Sequence, residues 1–249
     1  MKRIAIVGGT KGIGRAVARV LAARGDHVAL LGRDAADLAA SAGDLAARGP
    51  DGAHQTPATA ELDLARPETY DAALDEATQR LGGLDVVVIT AGAFGTQEAL
   101  EADAAARERV LSTNFTHTIQ FCEAVRVRLL AAGGGTLCVL GSVAGDRARK
   151  PVVLYGATKA GLAYYLQGLD LRYRDAGLRV VLVKPGFVRT GMTAGLPEPP
   201  FAGEPEQVAP RVLRAIERGE PVVYVPGIWR WVMAVIRLLP RAVMRRVKF

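Results

Sequence analysis

Cysteine and histidine are scarce in this chain, with two of the first and three of the second among 249 residues. Cys122 and Cys138 sit in apolar segments, which predicts reduced core thiols of a cytosolic protein rather than a disulfide. His27, His54 and His117 show no ligand spacing, so no metal site is expected. No run of 18 uncharged apolar residues occurs, which argues against a membrane-spanning helix. The opening MKRIAIVGG moves straight into a strand pattern with no extended apolar region or small-residue cleavage site, so no signal peptide is expected. Acid is missing from one place in particular. Gly227 to Phe249 carries Arg230, Arg237, Arg241, Arg245, Arg246 and Lys248 with no Asp or Glu, and so accounts for six of the net +7. The body is close to neutral, and the remaining basic residues form no aromatic stacking surface with it, so a nucleic-acid partner is not expected.

What is present is alternation. Short aliphatic runs (Ile4 to Val7, His27 to Leu31, Asp85 to Thr90, Thr136 to Leu140, Arg179 to Lys184, Val222 to Tyr224) predict strands, with a weaker one just before Asp63. Their near-continuous apolar character suits a parallel sheet covered on both faces. Helical patterns fall between them, at Gly12 to Arg24, Ala35 to Arg48, Pro67 to Leu81, Ala104 to Ala131, Tyr155 to Ala176 and Glu204 to Arg218. The predicted fold is α/β: a doubly wound, Rossmann-like parallel sheet with helices on both faces over residues 1–226. A basic amphipathic tail, 227–249, extends the same domain. The Pro-rich stretch GLPEPPFAGEP before the last helices is long enough to act as a lid.

The first strand runs into Gly8-Gly9-Thr10-Lys11-Gly12-Ile13-Gly14. Glycines there allow a tight turn and let the main chain approach a pyrophosphate at a helix N-terminus. Such a cluster also serves a strand-to-helix turn for backbone reasons alone. The second strand ends in Gly32-Arg33, with no acid for a ribose 2′-hydroxyl. Arg33 with Lys11 makes a two-cation clamp for a 2′-phosphate, which favours NADPH over NADH; solvated surface cations are the alternative.

Tyr155 and Lys159 stand four residues apart on a predicted helix, placing a phenol and an ammonium on one face. The cation is expected to favour the phenolate, and roughly 4 kcal/mol of differential stabilisation would bring the phenol from about 10 to about 7. Ser142 lies 13 residues before Tyr155, at the end of a strand, and Asn114 lies in the helix before that strand.

The glycine loop, Asn114, Ser142, Tyr155, Lys159 and Lys184-Pro185-Gly186-Phe187-Val188-Arg189-Thr190 together resemble the short-chain dehydrogenase/reductase family, in its order and spacing from Ile4 to about Thr193. The resemblance implies a parallel sheet of about seven strands, a nicotinamide cofactor and a homodimer or homotetramer. It implies Tyr155 as general acid in carbonyl reduction and Lys159 on the ribose hydroxyls. Ser142 would hold the carbonyl oxygen, and Asn114 would position a water in a proton relay. Asp63 and Leu64 would lie at the adenine, and Pro185, Gly186, Val188 and Thr190 along the cofactor up to its carboxamide. One departure stands out: the family's N-N-A-G is here Ile89-Thr90-Ala91-Gly92. Ala91 and Gly92 still allow close backbone access, but both asparagines are gone.

The loop after Ser142, GDRARK, carries Arg147, Arg149 and Lys150, and is either a solvated face or a site for an anionic substrate group such as a phosphate. With the tail, it makes the C-terminal half similar to the family's reductases of decaprenylphosphoryl-2-keto-β-D-erythro-pentose. The expected function is NADPH-dependent reduction of a ketone on a lipid-linked or amphiphilic substrate. Two alternatives stay open: a soluble 3-oxoacyl, small-ketone or steroid reductase, and a non-catalytic NADP(H) sensor. As one helix, the tail would gather Arg230, Arg237, Arg241, Arg245 and Lys248 within about 80°, with Trp231, Val232, Val235, Ile236, Leu239 and Val243 over much of the rest. Pro240 is expected to break it in two. This pattern suits peripheral contact with the inner face of a cell membrane from the cytoplasm, or a helix packed on a neighbouring subunit.

Overall fold

A computed structural model describes residues 1–50 and 56–247. His54, and Lys248 of the expected basic stripe, lie outside the described residues. Seven strands form one sheet: β1 (Arg3–Val7), β2 (His27–Gly32), β3 (Ala58–Glu61), β4 (Val86–Ile89), β5 (Gly135–Leu140), β6 (Leu178–Pro185) and β7 (Val222–Val225). The order is β3-β2-β1-β4-β5-β6-β7, and every pairing is parallel. The crossover between β3 and β4 therefore reverses direction along the sheet and leaves a crevice at the strands' C-terminal ends, where such sheets bind ligands.

Helices cover both faces. On one, α1 (Gly12–Ala23), α2 (Ala35–Ala46) and α8 (Pro205–Arg218) bury Val17, Leu21, Leu38, Val212 and Ile216 against Ile4, Ile6, Val88 and Val181. On the other, α3 (Tyr70–Leu81), α6 (Thr118–Ala131) and α7 (Val153–Tyr173) pack Leu74, Phe121, Val125, Leu162 and Leu166 on Ala5, Val87 and Val139. Alternate residues of one strand thus feed opposite cores, which is why the strands read as unbroken apolar runs. Cys122 and Cys138 are buried free thiols.

Two helical expectations change. Gln97–Ala102 forms a short helix, α4, absent from the periodicity reading, with Thr96 capping its start by accepting from the Ala99 amide. The stretch expected as one helix from Ala104 to Ala131 is divided into α5 (Ala104–Leu111), a π-helical turn over Ser112–His117, and α6. Within it the Thr118 hydroxyl donates to the Thr113 carbonyl at 2.7 Å. A widened turn of this kind carries an extra residue and re-aims the side chains on it, and periodicity alone does not show it.

The tail splits at Pro240 as expected, into α9 (Trp229–Leu238) and α10 (Arg241–Arg246). Its apolar residues do not share one face. Trp229, Met233 and Ile236 turn inward and build a third small core with Val143, Phe187 and Tyr224. Trp231, Val235 and Leu238 face outward at 67%, 63% and 84% exposure. The spacing 229, 233, 236 follows the helical repeat, so α9 has one face for the body and a second apolar face left over. Among the described residues no helix is long and apolar enough to cross a membrane.

Candidate active site

Every glycine-loop residue sits at the turn from β1 into α1. Gly8 and Gly12 have φ of 84° and 52°, in the left-handed region that favours glycine. A Cβ on Gly14 would stand 2.3 Å from the Gly8 carbonyl oxygen and 2.4 Å from the Thr90 hydroxyl, so only glycine fits there. The main chain of Thr10, Lys11, Gly12, Ile13 and Gly14 thus opens α1 with free amides directed outward from the helix start, a cradle suited to a pyrophosphate. Ile13 reaches it with backbone only, since its side chain packs on the first core.

Thr90 answers the missing asparagines. Its hydroxyl lies 3.0 Å from both the Val7 and Gly8 carbonyl oxygens, tying the end of β4 to the glycine turn. Ala91 follows, its amide donating to the Val7 carbonyl at 3.2 Å. Opposite, Thr190 closes on Gly12: a Cβ there would meet the Thr190 methyl at 3.2 Å. The loop after β6 therefore comes to the glycine turn although 178 residues separate them.

Around this cradle the remaining positions separate into two kinds. Arg33 is exposed just past β2. Lys11 is also exposed but paired with Asp37 of α2 at 2.7 Å, so the two cations expected to act together are unequal: one is already partnered. Asp63 turns its carboxylate to the Ala65 amide at 3.0 Å. Leu64 is buried in the second core, and its carbonyl accepts from Tyr70 at 2.5 Å. Val188 is also buried. Pro185 ends β6, and Gly186, whose amide donates to the Val225 carbonyl at 2.9 Å, lies so close beneath Trp229 that a Cβ would collide with its indole.

Asn114, Ser142, Tyr155 and Lys159 converge beside this cradle. Ser142 follows β5 and accepts from the Ala144 amide at 3.1 Å. Tyr155 and Lys159 share one face of α7, with the ammonium 5.7 Å from the ring centre. The Lys159 ammonium donates to the Leu140 carbonyl at 3.1 Å. Asn114 is buried on the π-helical turn, donating to the Ala93 carbonyl at 2.7 Å and accepting from the Ala93 amide at 2.8 Å. Both ends of its amide are therefore engaged with the loop after β4. Its side chain thus fixes that loop.

Burial pushes the Tyr155 phenol up to about 12, opposed by its hydrogen bond with Ser142, and lowers the Lys159 ammonium to about 8. Desolvation is the largest cause for both groups, and the ammonium is committed to the Leu140 carbonyl. At neutral pH the phenol holds its proton at Oη, the state a general acid needs.

Two neighbours escape the sequence reading. Phe94 stands edge-on to Tyr155 at 5.1 Å between ring centres. The Gln97 amide oxygen accepts from the Leu154 amide at 3.0 Å, bracing the start of α7. Phe94 lies in the loop leaving β4 and Gln97 opens α4, and position is the only signal either carries in the sequence. The Pro-rich stretch is tied down through Arg189, which bonds Glu198 and also Glu204, the latter at 2.5 Å, and through the Trp229 indole donating to the Phe201 carbonyl at 3.3 Å.

The family model described as short chain dehydrogenase matches residues 2–200. An uncharacterized oxidoreductase of Mycobacterium tuberculosis is 34% identical, covering 98% of this chain and 96% of its own length. Carbonyl reductase family member 4 of Xenopus tropicalis is 31% identical over 87% of this chain and 91% of its own. Among solved structures, levodione reductase superposes with a TM-score of 0.79 at 26% identity, covering 90% of this chain and 95% of its own. With its seven-stranded parallel sheet and the match over most of its length, the chain belongs to the short-chain dehydrogenase/reductase family of oxidoreductases.

Proposed function

We propose that this protein is an NADPH-dependent ketoreductase in which Tyr155 is the general acid, and the observation carrying the reading is the convergence of Ser142, Tyr155 and Lys159 beside the Gly8–Gly14 cradle. A bound nicotinamide cofactor supplies the hydride. The chain supplies the rest. Tyr155 Oη holds the proton that the reduced oxygen will take, and Ser142 positions that oxygen. Lys159 brings positive charge under the phenol as it gives up its proton, which is where an ammonium fixed by Leu140 is most useful. Asn114 keeps the loop after β4 in place through Ala93. Arg33 is the principal contact for a 2′-phosphate, with Lys11 secondary because of Asp37.

The proposed substrate is an amphiphilic ketone, with a polyprenyl-phosphate keto-sugar as the named candidate. The outward apolar face of α9, with Arg230 stacked 5.7 Å from the Trp231 ring centre, supports peripheral contact with an anionic membrane surface. Tyr164 and Leu171, exposed on one face of α7, support a homodimer or homotetramer. Replacing Tyr155 by Phe tests the central assignment: NADPH binding stays and turnover falls by at least about a hundredfold, the usual size of a general acid's contribution. Retained turnover overturns the role of Tyr155. Catalytic efficiency with NADPH against NADH tests the cofactor, and a preference for NADH overturns it.

A further inference from the structure

Between the turn after β5 and the C-terminal tail lies an open cavity of about 570 Å³. Arg147, Arg149 and Lys150 line one side, and Arg241 and Arg245 the other. Among the described residues its one lining acid is committed elsewhere: Asp146 accepts from Lys184 at 2.5 Å and from Tyr224 at 2.7 Å. Arg147 and Lys150 donate to main-chain carbonyls of the tail, at Leu239 (2.7 Å) and Arg245 (2.5 Å), and so hold the tail across the cavity. The Nε of Arg149 is enclosed and has no hydrogen-bond partner among the described residues. Burial lowers the pKa of its guanidinium, with Asp146 opposing.

Among the described residues five cations line one space and give it a positive potential, and one of them carries an enclosed N–H with no partner, an arrangement that an anion would answer. The geometry suits a phosphoryl group in particular, since arginines offer forked N–H pairs to its oxygens. The cavity also sits where a substrate would reach it. It is lined by Val153, two residues and about 3 Å of helix rise before Tyr155, and its other wall begins in the turn that Ser142 starts.

We propose that this cavity is a phosphate subsite, in which Arg149, Arg241 and Arg245 grip a phosphoryl group on the ketone substrate while Arg147 and Lys150 fix the tail over it. The proposal rests on the ketoreductase reading of the adjoining site and deepens it by giving the phosphomonoester or phosphodiester of such a ketone a place of its own. The tail is then half of a binding site as well as a surface element.

Calorimetric titration of inorganic pyrophosphate into the NADP+-saturated protein reads the cavity with the cofactor's own phosphate contacts filled. Binding by the unaltered protein is expected to weaken at least tenfold in the Arg149→Gln/Arg241→Gln variant, with NADP+ affinity and thermal midpoint unchanged. No binding by the unaltered protein, or equal binding by the variant, overturns the proposal. Arg241→Gln alone, at an exposed position, gives a second reading if the double variant folds poorly. Co-sedimentation with phosphatidylglycerol vesicles separates the two sources of phosphate. If the substitutions abolish vesicle binding and leave pyrophosphate binding intact, the arginines serve lipid headgroups and the subsite is refuted. A parallel titration without NADP+ keeps the anion measurement standing even if cofactor binding, and with it the ketoreductase reading, fails.

Discussion

Replacing Asp146 by Asn is expected to destabilise the protein strongly. The Asp146 side chain is 2% exposed and that of its partner Lys184 13%, so both charges are largely out of water. The carboxylate joins three elements: it starts from the turn after β5, takes a bond from Lys184 on β6 at 2.5 Å and another from Tyr224 on β7 at 2.7 Å. Asparagine keeps the shape and one acceptor oxygen but leaves the Lys184 ammonium enclosed without an anion. Breaking a buried pair from one side typically costs about 3–5 kcal/mol. For a chain of this size, each kcal/mol shifts the thermal midpoint by roughly 2–4 °C, so the loss is on the order of 10 °C. Differential scanning calorimetry of the single variant and of Asp146→Asn/Lys184→Met completes the assay. The double variant is expected to recover much of the loss, because the apolar side chain removes the orphaned charge. A single variant within about 1 kcal/mol of the unaltered protein, or a double variant as unstable as the single, refutes this reasoning.

Three further outcomes follow from the site. Lys159→Met is expected to abolish turnover yet raise the midpoint of the cofactor-free protein at pH 7. Burial holds the ammonium at about 8, below its ordinary 10.5, so below pH 8 the lysine is charged in both states and its enclosure opposes folding; between 8 and 10.5 folding expels a proton, and the advantage of the variant narrows across that window as the unfolded lysine also loses its charge. A midpoint gain that is flat across that window would contradict it. Gly14→Ala must push against the Gly8 carbonyl at 2.3 Å, an overpacking cost of roughly 1–3 kcal/mol that falls on the cradle, so NADPH affinity measured by fluorescence titration should drop about tenfold or more. Arg33→Ala should raise KM for NADPH about tenfold and leave NADH unaffected, whereas Lys11→Ala should do less because Asp37 already holds that ammonium; equal effects would undo the ranking of the two cations.

Local order carried much of the architecture. Unbroken aliphatic runs separated by helical repeats specify parallel strands buried on both faces, since only that arrangement hides side chains pointing to opposite sides. The glycines at 8, 12 and 14 were legible because a main-chain requirement is a property of single residues, and Tyr155 with Lys159 because a helix places residues four apart together. The broken helix at Asn114 was not legible. Its π-helical turn is held by bonds to Ala93, 21 residues away, which leave no trace in periodicity.

Tertiary structure alone decided the rest. Thr90 takes up the polar work at the glycine turn because β4 lies beside β1, 83 residues apart in the chain. The shift of Tyr155 upward and Lys159 downward follows from enclosure by elements scattered along the sequence, and desolvation depends on that enclosure rather than on spacing. The tail shows the division most plainly. Its basic character and its break at Pro240 belong to the sequence by itself. Which apolar residues turn inward, and how Arg147 and Lys150 reach tail carbonyls 92 and 95 positions away to close a cationic cavity, were settled only by packing, because contacts between distant segments are not written in any local pattern.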